Sequence, residues 1–279
     1  MRAPSPNERP ALTDRDSLIL RRARAMRRGP DDFLHRIVAD EIDDRLAAVN
    51  RRFTSEAVVT GLPDLWRGFR PQARVIADDP VLDLVPGAHD LVIHAMALHW
   101  ADDPVGQIVQ CARALRPDGL FIAVLPGGET LAELRAALAE AEVAETGGLS
   151  PRVLPMGEIR DLGGLLSRAG LALPVADQMH LPASYRSLTD LARDLRGMGE
   201  SNAMAARLRR PTPRTVLARA DEALHRMFPD PDNPDRFRTG FDLIFLTGWS
   251  PDDSQQKPLR PGSAQMRLAD ALNPDRTKP

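Results

Sequence analysis

The sequence predicts an α/β fold built on a mostly parallel sheet. Short β-branched or apolar runs alternate with helical stretches from residue 56 to about residue 180. One of those runs, Leu120–Leu125, is apolar without interruption, as expected for a strand covered on both faces. The chain has 279 residues, 43% of them hydrophobic and 27% charged, enough to bury a core without disulfides or metals.

Each element has its own local warrant. Met1 to Pro10 lacks the apolar core of a secretory signal. Arg15 to Arg28, with Arg21, Arg22, Arg24, Arg27 and Arg28, reads as a helix with a solvated basic face, and Asp14 and Asp16 argue against a transit peptide. Pro30, Asp31 and Asp32 open a second helix, in which Leu34, Val38, Ile42 and Leu46 recur at helical period as far as Val49.

Glu56–Thr60 is a short strand ended by Gly61. Ala73–Ala77 is another, ended by Asp78-Asp79-Pro80, and Asp90–Ala95 is a third. Val105–Leu115 reads as a helix stopped by the Arg116-Pro117-Asp118-Gly119 turn. Past the Leu120–Leu125 strand come helices at Thr130–Glu145 and Met156–Ala169, the latter capped by Gly170. Leu171–Leu181 is a strand candidate, Ser187–Arg196 and Thr212–Met227 are helices, and Phe241–Thr247 is a last strand. The tail from Ser250 onward is rich in Pro, Ser, Gln and Asp.

Composition narrows the function. Net charge is −2 and aromatic residues make up 4%, so neither a basic field nor a stacking platform for nucleic acid is present. No window approaches the length of an apolar membrane span. Cys111 is the single cysteine, so no intrachain disulfide can form; on the apolar face of its helix it reads as a buried, inert thiol.

The motifs then carry a resemblance. Asp90-Leu91-Val92-Ile93, Leu98-His99-Trp100 and Leu115-Arg116-Pro117-Asp118-Gly119-Leu120-Phe121 resemble the second half of a class I S-adenosylmethionine-dependent methyltransferase domain. The resemblance implies a Rossmann-like sheet with helices on both faces. Its first half is shortened, a helical extension precedes it and a helical insertion stands before the last strand. Four further blocks are similar to the methyltransferase-like assembly factors of respiratory complex I: GGLSPR from Gly147, DLRGMGESNA from Asp194, LTGW from Leu246 and QQKPLRPGSA from Gln255. The malonyl-carrier-protein methyltransferases of biotin synthesis are a more distant likeness. The division implied is a helical extension over 1–50, a methyltransferase-like domain over 51–249 with its insertion near 183–238, and a C-terminal arm over 250–279.

The family implies S-adenosylmethionine as cofactor, a complex I subunit as protein partner, and the bacterial cytoplasm as location, with peripheral contact at the inner membrane. Arginine hydroxylation of a complex I subunit has been ascribed to mitochondrial members. Two readings stay open: a methyltransferase-superfamily enzyme acting on a protein side chain, and a degenerate, non-catalytic factor that binds its partner without cofactor.

The front half departs from the superfamily pattern. The first strand leads into Gly61-Leu62-Pro63-Asp64, with one glycine where a glycine-rich loop is needed and a proline that removes a backbone donor. The next run, ARVIADD, resembles the third strand of the fold, so the second strand and its ribose-binding acid are missing. Each charge-assisted bond from such an acid is worth about 1.5–3 kcal/mol, so weak donor binding or none is expected.

By resemblance, the donor-side candidates are Thr60, Gly61, Asp78, Asp79, His94 and Leu98, with Asp78 or Asp79 as the adenine-side acid. Thr60 and Gly61 read equally well as a strand-ending turn, and the two aspartates as a turn before Pro80. His99 and Tyr185 are the catalytic candidates. His94 and His99 with Asp102 or Asp103 are the first place to look for a two-histidine, one-carboxylate set if iron-assisted hydroxylation occurs, but the spacing of five puts the histidines off one helix face and no metal is expected. Arg186, Arg196, Glu200 and Asn202 fall in the insertion that covers the pocket in this superfamily.

Overall fold

The computed structural model describes residues 11–255. In chain order the elements are α1 (Arg15–Arg28), α2 (Phe33–Ala48), β1 (Glu56–Thr60), α3 (Pro63–Phe69), β2 (Arg74–Ala77) and β3 (His89–Ala95). There follow a 3-10 turn (Leu98–Trp100), α4 (Pro104–Ala114), β4 (Leu115–Gly127), α5 (Ala132–Thr146), α6 (Ile159–Arg168) and β5 (Ala172–Tyr185). The last are α7 (Leu188–Gly197), α8 (Arg214–Met227), β6 (Pro229–Asp230) and β7 (Asn233–Trp249).

The sheet runs β2-β1-β3-β4-β7-β5, with β6 paired to β7. β2, β1, β3 and β4 are parallel; β7 is antiparallel to both β4 and β5. Side chains alternate faces along each strand. Val58, Leu91, Ile93, Leu120 and Ile122 face a core closed by α2, α5 and α8, whereas Ala57, Val59, Val92, Phe121 and Ala123 face one closed by α4 and α6. Buried Leu34, Val38 and Ile42 of α2 form the stripe that the period predicts. Cys111 lies wholly buried on the inner face of α4.

Several boundaries move. α3 forms in the segment that reads as a loop, because Pro63 occupies its first turn and Asp64 faces its dipole end. The Arg116–Gly119 turn becomes an irregularity within β4, with Asp118 at φ 58°. β5 and β7 run past their apolar segments into polar residues, pairing as far as Tyr185 and Phe237.

The larger correction concerns β2. It pairs directly with β1, Ala57 opposite Arg74 and Thr60 opposite Ala77. Sequence order likens this run to the third strand of the fold; in the sheet it takes the seat beside the first strand. All of the QQKPLRPGSA block but Gln255, and most of the 250–279 arm, lie outside the described residues. Among those described, no helix is long and apolar enough to cross a membrane.

Candidate functional site

Ligands of open α/β sheets bind beyond the carboxyl ends of the strands. Here the ends of β1 and β2 are met by α1. Asp14 caps that helix by accepting from Ser17 N at 3.0 Å. The segment before it is tied down by Asp102, whose Oδ1 accepts from Leu12 N at 2.8 Å and Thr13 N at 3.0 Å. Thr13 Oγ1 also donates to Trp100 O at 2.8 Å.

α1 does not present a purely solvated basic face. Leu18, Arg22 and Ala25 share its buried stripe. Arg22 Nη1 donates to both oxygens of Asp78 at 2.9 Å, and Arg15 Nη2 donates to Asp78 Oδ1 at 2.8 Å and to its carbonyl at 2.7 Å. Burial by itself pushes the Asp78 carboxyl up, but the charge of Arg22 and the hydrogen bonds from Arg15 and Arg22 outweigh it and hold the group at about 2. The guanidinium of Arg22 packs on the open face of Gly61, so closely that no β-carbon fits there. Its Nη2 is buried without a hydrogen-bond partner. Between α1 and the ends of β1 and β2 remains a cavity of about 510 Å³, lined by Ile19, Met26, Gly61, Pro63, Asp78 and Asp79 among others.

The donor-side candidates separate accordingly. Thr60 is fully buried, its Oγ1 accepting from Leu62 N at 3.3 Å. Asp79 stays largely in solvent, 3.4 Å from Arg15. His94 is buried, with Nε2 donating to Gln107 Oε1 at 2.6 Å, and burial lowers its pKa. Gln107 in turn donates to the carbonyls of Asp78 and Asp79, which fixes that turn. Leu98 packs in the core under α4.

The residues present do not fit a methyl donor. The backbone approach at Gly61 is filled by Arg22, and of the two acids that follow β2, Asp78 has both oxygens taken by arginines while Asp79 stays largely in solvent. Nor do His94, His99, Asp102 and Asp103 converge: Asp103 caps α4 through Gly106 N at 2.9 Å, and Asp102 holds the N-terminal segment. Among the described residues no three metal-ligating side chains come together.

A second cavity, of about 420 Å³, opens beyond the ends of β3 and β4. His99 lines it. Its Nε2 lies 3.0 Å from Glu200 Oε2, which also accepts from Trp100 Nε1 at 2.7 Å. Burial pushes the Glu200 carboxyl up, yet the His99 contact and the Trp100 hydrogen bond bring it below its ordinary value. The Nδ1 of His99 is buried and unpartnered. Tyr185 stands apart at the end of β5 against Phe237; burial, then the charge of Asp194, push its phenol up. Sequence reasoning missed Arg15, Arg22 and Gln107. The available signal was the position of Arg22 on the Leu18–Ala25 stripe, where an arginine must find a buried carboxylate.

Parallel strands β2-β1-β3-β4, a reversed β7 and the methyltransferase-type motifs define a class I methyltransferase fold. The methyltransferase-domain family model matches residues 33–123. The mitochondrial arginine-hydroxylase NDUFAF5 of Danio rerio is 35% identical over 223 residues, covering 80% of this chain and 68% of its own. The Homo sapiens protein of that name is 35% identical over 72% of this chain and 57% of its own. The chain belongs to this family. The malonyl-[acyl-carrier protein] O-methyltransferase of Laribacter hongkongensis is 31% identical over 69% of this chain and 62% of its own. Among solved structures, the YcgJ protein of Bacillus subtilis aligns with a TM-score of 0.45 at 11% identity, over 75% of this chain and 97% of its own.

Proposed function

We propose that this chain is a partner-binding factor of respiratory complex I assembly that acts without a bound methyl donor. One observation carries the reading: Arg22, paired with Asp78, fills the space over Gly61 that a donor requires. Kinship with the NDUFAF5 family supports an assembly role, in which the protein works in the bacterial cytoplasm beside the inner membrane. The degenerate factor is therefore preferred over methyl transfer to a protein side chain.

Calorimetric titration of the folded full chain with S-adenosylmethionine and S-adenosylhomocysteine tests this. No heat up to millimolar ligand is expected. Micromolar affinity, with methyl transfer to any complex I subunit, overturns it. Complementation of cells lacking the chain supplies the second arm: complex I activity returns with the wild-type chain and with a Gly61→Ala/Arg22→Ala variant alike.

A further inference from the structure

The second cavity has an apolar floor, formed in part by Met96, Leu134 and Phe241, and a rim that includes Arg21, Arg196 and Arg210. It adjoins an outer hollow of about 750 Å³ between α1 and α7, and the two share Arg21, Arg196 and Ser201. The outer hollow adds Arg24 and Arg28.

These arginines differ from the others nearby. Arg152 is held by Glu142, and Arg207 and Arg209 by Asp14. Arg21, Arg24, Arg28, Arg196 and Arg210 have no carboxylate partner among the described residues. Arg21 Nε is buried with no hydrogen-bond acceptor. Burial, then the charges of Arg207 and Arg24, lower the Arg21 pKa, the mark of cations crowded without compensation. Three acids, Asp31, Asp32 and Asp194, also line the outer hollow, against the five arginines of the shared mouth. Asp32 is committed to Arg36 at 2.6 Å, and Asp31 faces Asp194.

We infer that the mouth shared by the two hollows binds a short acidic segment of a partner protein, with one apolar side chain seated on the floor of the inner cavity. The inference rests on the partner-binding function proposed above. Charge selects the partner: a strip of five unpaired cations calls for several carboxylates in a row. Length selects a peptide over a small molecule. Arg21 to Arg28 span about 10 Å of α1, and an extended chain that crosses this strip and dips into the cavity needs about six residues. The apolar floor gives such a segment an anchor that a purely polar polyanion lacks.

The test is fluorescence anisotropy on the full chain with a labelled Glu-Asp-Leu-Phe-Glu-Asp peptide. Saturable binding that weakens with salt is expected. Replacing Leu-Phe by Ser-Ser, or using the Arg21→Gln/Arg196→Gln variant, lowers affinity by about tenfold or more. Arg209→Gln, which alters an arginine outside both hollows, leaves it unchanged. Thermal melts establish that each variant is folded. No binding, an affinity indifferent to Arg21 and Arg196, or equally tight binding of a single-stranded oligonucleotide or an anionic phospholipid vesicle overturns the inference. The donor titration reads the other crevice, so a failure of the peptide site is distinguished from a failure of the donor-free reading.

Discussion

Asp78 holds Arg22 through both of its carboxylate oxygens, each 2.9 Å from the same guanidinium nitrogen. The bond joins α1 to the carboxyl end of β2 and sets the guanidinium of Arg22 in the crevice at the strand ends. A buried ion pair of this kind stabilises less than its geometry suggests, because both charges have left water. Its main consequence is positional: it decides what lies over Gly61.

The acid limb of stability follows from Asp78. Its folded pKa is depressed, so its contribution is complete above the unfolded carboxylate range and is lost as pH falls from about 4 towards 2. Urea denaturation between pH 6 and pH 2 should show an acid-labile contribution of about 2–3 kcal/mol. In Asp78→Asn this part of the pH dependence disappears, and stability at neutral pH falls by about 3–5 kcal/mol, since Arg22 is left buried without its counter-charge.

Gly61→Ala is expected to destabilise the protein by about 1–3 kcal/mol, because the new methyl group meets the Arg22 guanidinium, which Asp78 prevents from moving away. In an Arg22→Ala background the same change should be close to neutral. A double-mutant cycle by chemical denaturation measures the difference, and additive effects would place Arg22 elsewhere.

His35 gives a spectroscopic check. It is buried in α2, accepts from Trp66 Nε1 at 3.1 Å, and is held at about 4, chiefly by burial. Because this pKa lies below the unfolded value, the neutral imidazole's contribution is complete above about pH 6.5 and is lost as pH falls towards 4. Imidazole resonances followed by NMR should show His35 uncharged at pH 5.5, where an exposed histidine is already protonated.

Asp102 predicts a local effect. It accepts from the backbone of Leu12 and Thr13 just ahead of α1. Asp102→Ala should raise amide exchange at residues 12–17 while leaving β3 and β4 protected, and should cost about 1–2 kcal/mol. Unchanged exchange in that segment would show that the other contacts of α1 suffice.

How much of this was legible in the sequence depends on the range of the interaction involved. β1 matches its predicted bounds and α2 its predicted stripe, because period and β-branching are local signals. The reversed β7 beside β4 and the methyltransferase-like frame came through motif resemblance. The seat of β2 beside β1 did not, since strand order is set by pairing across the sheet. The candidate site was half legible. Gly61 and Asp78 are conspicuous in the sequence, each directly after a short strand. Their partners, Arg15 and Arg22, lie 63 and 56 residues from Asp78, and an arginine-rich helix looks the same whether its charges meet water or a carboxylate. Glu200 and His99, 101 residues apart, were each noted, but nothing in their spacing predicts the contact.

Cys111 has a practical consequence. It is the only cysteine of the chain, it is fully buried, and burial pushes its thiol well above the ordinary range. A folded molecule is therefore silent to maleimides and iodoacetamide, and only one that has opened beneath α4 is alkylated. The protein thus carries its own single-hit reporter of unfolding. Labelling rates of the purified chain can rank the variants named above by how often the structure around α4 opens.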